Sequence, residues 1–330
     1  MVKAVSRFPD SPTAPAADNV RALKLSPEPP LTGDSPMISL AYRCLRREYR
    51  ALQKLQRQRA ATPTPEDVHQ TRIATRRMRV ALRLFGALLP ERATTLLTKE
   101  LRWFARTLGA VRDLDVQTEA LREHLRTADA SAAQQLGGYE LALRRDRVAA
   151  HERLHELFAS ERYKALMAEI AELLDDAPSP AALRRWRSFT IRAGATHYLK
   201  RSRKRAVKLG RKLDCRAGSE ALHKLRIRAK RLRYALEFFV EAYPDLGPPA
   251  KAAKALQDVL GEHQDARTAR GRVLAYARSV RKCDGADAPL GAIGAWGSVQ
   301  HRLAAEARRE FAPEWQRFLA ATELPDFKAR

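Results

Sequence analysis

Two stretches of the chain, VHQTRIATRRMR at residues 68–79 and LHKLRIRAKRLR at residues 222–233, repeat one pattern of a histidine followed by closely spaced basic residues. The second copy begins 154 residues after the first, and Phe85 and Phe239 follow at the same offset. Neither stretch contains an acidic residue. Self-similarity over a long period indicates two copies of one structural unit.

The spacing of apolar residues predicts the fold class. Apolar positions recur every three or four residues from Met37 onward, which is typical of amphipathic helices, and strand-like alternation is absent. The segment TPTPED at residues 62–67 predicts a helix start, with Asp67 close to the cap. We therefore predict an all-α protein made of two tandem units of about four helices each.

The chain divides into three predicted segments. Residues 1–36 hold seven of the 18 prolines, and this composition predicts a disordered tail. The first helical-bundle repeat is predicted at residues 37–177 and the second at residues 178–330, separated by DDAPSPAA at residues 175–182. Both repeats together are predicted to form one domain.

The charge of the chain points to an anionic partner. The sequence holds 62 Lys and Arg against 38 Asp and Glu, a formal net charge of +24. Such an excess repels itself in the compact state and favours nucleic acid, an acidic membrane surface or polymeric phosphate as a partner. No apolar run predicts a transmembrane span and the first residues lack a secretory signal, so we expect a cytoplasmic protein.

The basic residues of each repeat fall on one helix face. Residues at i, i+3, i+7 and i+10 share a face of an α-helix, opposite the apolar positions of these two stretches. In the first copy this face holds His69, Arg72, Arg76 and Arg79, and in the second it holds His223, Arg226, Lys230 and Arg233. Arg77 and Arg231 lie at the edge of the faces.

The helix that precedes each stretch is also basic. The first repeat contributes Arg43, Arg46, Arg50 and Lys54, and the second contributes Lys200, Arg203, Lys204 and Arg211. If neighbouring helices are antiparallel, these faces can surround one shared cleft, which is a hypothesis about arrangement. Acidic residues of other helices could neutralise part of it, and Asp113 and Asp265 are the expected partners.

Signals for catalysis and for metal binding are weak. Only Asp113 and Asp115 form a carboxylate pair that could hold Mg²⁺, and the second copy has Arg267 at the second position. The His151 and His155 pair has zinc-ligand spacing, but solvent exposure is the more typical role of such a pair. Phosphate loops, nucleophile elbows and zinc-protease motifs are absent from the sequence. We therefore expect no enzyme activity, no cofactor and no metal.

The sequence resembles the CHAD family, the conserved histidine α-helical domain. The resemblance rests on VHQTRIATRRMRVALRLF with TLGAVRDLDV, and on ALHKLRIRAKRLRYALEFF with LQDVLGEHQD, and covers residues 37–320. It implies two four-helix bundles related by an approximate two-fold axis around a basic central groove. It also implies binding of inorganic polyphosphate at polyphosphate or storage granules, with granule-associated proteins as partners.

By motif match, the resemblance gives the binding role to the two stretches. The matched residues are His69, Arg72, Arg76, Arg77, Arg79, His223, Arg226, Lys230, Arg231 and Arg233. Some relatives carry an N-terminal CYTH triphosphatase domain, but here a Pro-rich tail precedes the repeats, so that activity is not expected. A nucleic-acid-binding protein and a polyphosphate-processing enzyme stay as alternatives; Tyr49, Tyr198 and Tyr234 keep the first one open.

Overall fold

The computed structural model of the protein describes residues 29–57, 64–175, 178–213, 217–284 and 290–327. Every regular element of these residues is helical, apart from one isolated bridge between Pro36 and Thr190. The prediction of an all-α protein is confirmed. Along the described ranges, no helix has the length and apolar character needed to cross a membrane.

Within the described residues, five α-helices belong to the first half of the chain and five to the second half. The first five are α1 (Met37–Arg57), α2 (Pro65–Phe85), α3 (Glu91–Thr127), α4 (Ala130–Ala159) and α5 (Glu161–Leu174). The other five are α6 (Pro180–Arg185), α7 (Ile191–Gly210), α8 (Ser219–Phe239), α9 (Gly247–Asp284) and α10 (Gly291–Ala321). Helices α1 to α4 pack on one another in chain order, and α7 to α10 do the same.

The start of α2 is fixed by a reciprocal cap. The Thr64 side chain accepts a hydrogen bond from the Asp67 backbone N–H at 3.1 Å, and the Asp67 carboxylate accepts one from the Thr64 backbone N–H at 2.9 Å. Two backbone donors at the helix terminus are thereby satisfied. Thr64 is the N-cap, and Asp67 supports it from the first turn.

The two halves meet where α2 packs against α8 and where α4 packs against α10. In the first of these contacts the rings of Phe85 and Phe238 lie 5.9 Å apart, and both are fully buried. The apolar positions that recur in the two sequence copies are buried in both helices, among them Leu82 and its equivalent Leu236. Burial of this apolar face leaves the basic residues of each helix on another face.

The prediction of a disordered tail is wrong for residues 29–36, which the structure describes. Backbone oxygens of Gly33 and Ser35 accept hydrogen bonds from the N–H groups of Arg192 and Ile191, at 2.8 and 2.9 Å, and Leu31 is buried. These contacts attach the segment to the start of α7, because otherwise unpaired N–H groups of the first helical turn find partners there. The remainder of the predicted tail, residues 1–28, lies outside the described residues.

Candidate anion-binding site

Four basic side chains from the two repeats gather where α2 packs against α8. Arg72 and Arg76 come from α2, and Arg226 and Lys230 come from α8; we call these four residues the central cluster. Burial first, and then the charges of Arg76, Arg226 and Arg72, lower the pKa of Lys230 to about 6, against an opposing effect of Asp265. The sequence copies therefore place their cations within electrostatic reach of one another.

Each repeat contributes one carboxylate to this cluster. Asp113 Oδ1 lies 3.9 Å from Arg72 Nη2, and Asp265 Oδ1 lies 4.0 Å from Arg226 Nη2. The prediction that Asp113 and Asp265 pair with basic residues of the two stretches is confirmed. Both separations exceed a hydrogen bond and both carboxylates are more than half exposed, so they offset the cluster's charge without engaging its donors.

The two histidines occupy equivalent positions beside the central cluster. The Nδ1 atoms of His69 and His223 are both buried and form no hydrogen bond within the described part of the chain. Burial lowers the pKa of His69, and the nearby Arg112 lowers it further. Each imidazole therefore adds to the site a ring nitrogen that keeps its hydrogen-bonding capacity.

The predicted binding residue Arg77 does not belong to the central cluster, because its guanidinium is paired with two carboxylates. Its Nε donates to Glu48 Oε1 at 2.8 Å, and its Nη1 donates to Glu237 Oε2. Burial acts to lower the pKa of Arg77, but these two carboxylates outweigh it and raise the pKa. The guanidinium also lies 5.5 Å from the centre of the Phe238 ring, so Arg77 ties α1, α2 and α8 together.

Arg233 and Arg43 are removed for the same reason. Arg233 Nε donates to Glu237 Oε1 at 2.7 Å, and Arg43 donates to Glu241 and to the Pro29 backbone oxygen. Their charge is already neutralised by carboxylates. We call this side of the α2–α8 contact the acidic flank, and its carboxylates are Glu48, Glu237 and Glu241.

The other side of the α2–α8 contact holds arginines in place of acids. Arg79 lies within reach of the charges of Arg83, Arg102 and Arg106, and Arg231 lies within reach of Arg83 and Arg228; burial first, and then these charges, lower the pKa of both. We call this side the arginine flank, and its members are Arg79, Arg83, Arg102, Arg106, Arg228 and Arg231. No carboxylate of the described residues forms an ion pair with any of the six.

Sequence reasoning missed four members of the arginine flank. Arg83 follows Arg79 by one helical turn on α2, Arg102 and Arg106 lie on α3, and Arg228 donates to the Arg205 backbone oxygen at 2.8 Å. They were missed because the search followed residues that match between the two copies. Arg83 is matched by Glu237, so the signal was a difference in charge at one repeat position.

The remaining candidates on α1 and α7 lie on exposed or half-buried positions. Arg46 and Arg203 are half-buried, and the others are exposed: Arg50, Lys54, Lys200, Lys204 and Arg211. Lys200 lines a surface cavity of about 650 Å³ together with Arg192 and Asp326. The role of these seven residues in binding stays a prediction.

The one candidate magnesium pair does not face a common point. Asp113 faces the central cluster, whereas Asp115 is buried and accepts hydrogen bonds from Arg147 at 2.7 Å and His151 at 3.0 Å. His151 is therefore half-buried and engaged, and His155 is exposed. Across the described ranges, no three His, Cys, Asp or Glu side chains come together as a metal site.

The model of the CHAD domain matches residues 29–274. The crystal structure of the CHAD domain from the plant Ricinus communis superposes with a TM-score of 0.69, at 24% identity, over 89% of this chain and 96% of that one. PptA from Streptomyces chartreusis superposes with a TM-score of 0.67, at 21% identity, over 86% of this chain and 100% of that one.

Two curated relatives are uncharacterized proteins of Mycobacterium tuberculosis. Rv2226 of strain H37Rv and MT2285 of strain CDC 1551 are each 28% identical to the chain over 223 residues, which is 64% of this chain. The chain spans 40% of the length of these relatives. The described residues form an all-helical fold in which basic residues of α2 and α8 lie close together. The chain belongs to the CHAD domain family, whose known association is with polyphosphate.

Proposed function

We propose that the chain binds inorganic polyphosphate at the central cluster and does not make or break phosphate bonds. One observation carries the proposal: the central cluster brings together basic residues from both repeats, namely Arg72, Arg76, Arg226 and Lys230. Its carboxylate neighbours are distant, since Asp113 lies 3.9 Å from Arg72 and Asp265 lies 4.0 Å from Arg226. Like charges held this closely repel one another, so a ligand with several closely spaced negative charges is favoured. Guanidinium forks match phosphate oxygens in geometry.

The tyrosines near the basic faces favour polyphosphate over nucleic acid. Tyr49 and Tyr234 are 0% and 1% exposed, and Tyr198 is half-buried. Proteins that bind single strands without sequence preference stack bases on exposed aromatic rings, which these residues do not offer. A ligand that consists of phosphate alone needs no such platform.

The separation of Asp113 from Asp115 supports a binding role without catalysis. A metal-assisted phosphoryl transfer needs carboxylates that converge on one or two ions. Here one carboxylate faces the central cluster and the other is held by Arg147 and His151. We expect no orthophosphate release when the protein is incubated with polyphosphate and Mg²⁺.

Calorimetric titration with polyphosphate tests the proposal. Replacing Arg72, Arg76, Arg226 and Lys230 by Ala should weaken binding at least about a hundredfold, since each charge-assisted contact contributes roughly 1.5–3 kcal/mol. A control variant replaces the same number of basic residues at exposed positions of α3 and α4, by Ala at Arg122, Arg126, Arg144 and Arg153. Equal affinities of the two variants, or displacement of polyphosphate by equimolar single-stranded RNA, would count against the proposal.

We further propose that this binding brings the protein to polyphosphate granules, where granule-associated proteins become its neighbours. The support is the family's association with polyphosphate and the charge of +24. A fluorescent fusion should co-localise with granules, and the variant of the central cluster should not.

A further inference from the structure

The two repeats match in their basic residues but differ in their acids. Counted at the offset of 154 residues, Glu48 corresponds to Ser202, Glu237 to Arg83 and Glu241 to Ala87. The structure supports this offset of 154 residues, because equivalent leucines have the same burial: Leu45 and Leu199 are both fully buried, and so are Leu82 and Leu236. Each acid of the acidic flank therefore has a neutral or basic residue at the equivalent position.

This difference gives equivalent arginines opposite surroundings. Arg77 on α2 donates to Glu48 and Glu237 and is largely buried. Its equivalent on α8, Arg231, is exposed and lies near the charges of Arg83, Arg205 and Arg228. One side of the α2–α8 contact is thus closed by ion pairs, and the other holds uncompensated cations.

The arginine flank is continuous with the central cluster. Arg76 belongs to the cluster, and its charge acts on Arg79, which in turn lies within reach of Arg83, Arg102 and Arg106. Arg83 also acts on Arg231, which carries the flank across from α2 to α8. The acidic flank offers a different environment, since its arginines are already paired with three carboxylates.

On the basis of the proposed function, we propose that polyphosphate leaves the central cluster along the arginine flank only. Each protein molecule then binds one polymer, which extends from the central cluster on one side only, even though the two repeats have equivalent basic stretches. Arg79, Arg83, Arg102, Arg106, Arg228 and Arg231 contact the phosphates beyond those held at the centre. These residues therefore determine how strongly longer chains are preferred over short ones.

The test copies the acids of one flank into the other. The variant Arg83→Glu with Ser202→Glu installs carboxylates at the positions equivalent to Glu237 and Glu48, where they can pair with Arg231 as the originals pair with Arg77. A control with the same change of charge, Arg153→Glu with Gln134→Glu, alters exposed positions on α4. Far-ultraviolet circular dichroism verifies that both variants keep their helicity.

Affinity is measured by calorimetry for tripolyphosphate and for long-chain polyphosphate. The flank variant should lose about tenfold or more in affinity for the long chain and keep its affinity for tripolyphosphate within about twofold. The control should retain the preference for the long chain. Unchanged long-chain binding in the flank variant, or an equal loss for both ligands, overturns the proposal. Failure of the unmodified protein to bind either ligand would instead refute the proposed function.

Discussion

Arg77 and Arg231 occupy the same position in the two repeats, but we expect Arg77 to stabilise the fold and Arg231 to bind polyphosphate. Substitution of each residue by Ala separates the two roles. Arg77→Ala leaves Glu48, a buried carboxylate, and Glu237 without their shared partner. Removing one side of a buried ion pair typically costs about 3–5 kcal/mol of unfolding free energy. Arg47 and Arg233 still contact these carboxylates, at 3.0 and 2.7 Å, so we expect a loss at the lower end, about 3 kcal/mol.

Arg231→Ala removes an exposed side chain with cationic neighbours, so its unfolding free energy should stay within about 0.5 kcal/mol of the unmodified protein. Urea denaturation followed by circular dichroism measures both changes. Calorimetry with long-chain polyphosphate should then give the reverse order, with a loss of about three- to tenfold for Arg231→Ala and almost none for folded Arg77→Ala. Equal stabilities of the two variants, or a greater loss of binding in Arg77→Ala, would refute the assignment of the flanks.

Two further predictions concern pH and packing. Burial and neighbouring charges lower the pKa of Lys230 to about 6, so the amine is mostly neutral at pH 7. A polyanion favours the charged form of Lys230, and polyphosphate binding should therefore take up a proton. The affinity should then tighten by up to about tenfold per pH unit as the pH falls toward 6. Calorimetry across this range should show a shallower dependence for Lys230→Arg, and identical slopes would contradict the idea. In Gly210→Ala the new methyl group would lie 2.1 Å from the Trp315 ring and should cost about 1–3 kcal/mol of unfolding free energy, whereas Gly137→Ala, with open space around it, should gain roughly 0.5–1 kcal/mol. Denaturation curves that rank the two glycine variants the other way would contradict the packing.

The sequence was informative where one helix decides the outcome. The period of 3.6 residues determines which side of α2 and α8 is apolar, and it placed Arg72, Arg76, Arg226 and Lys230 on the opposite, basic side. The approach of the two basic sides was a hypothesis about arrangement. The expected pairing of Asp113 and Asp265 followed from their equal positions in the two copies. Helix propensity and the absence of alternating patterns were sufficient for the all-α class.

The surroundings of each arginine could not be read from one helix. Arg77 meets Glu237, which is 160 residues away in the chain, and only the crossing of α2 over α8 brings the two together. A periodic pattern gives the direction of a side chain but not the residue that faces it from another helix. Comparing the repeats for differences in charge, as between Glu237 and Arg83, would have pointed to the two flanks.

In the proposed function, cations of both repeats act on one ligand. Calorimetry with tripolyphosphate on the unmodified protein, on Arg72→Ala, on Arg226→Ala and on the double variant measures this most directly. We predict one ligand per chain, a loss of affinity in each single variant and a double-variant loss that departs from the sum of the two, because residues that share a ligand are coupled. Two independent sites per chain, with each substitution abolishing only one of them, would show that the repeats bind separately and would refute the shared site.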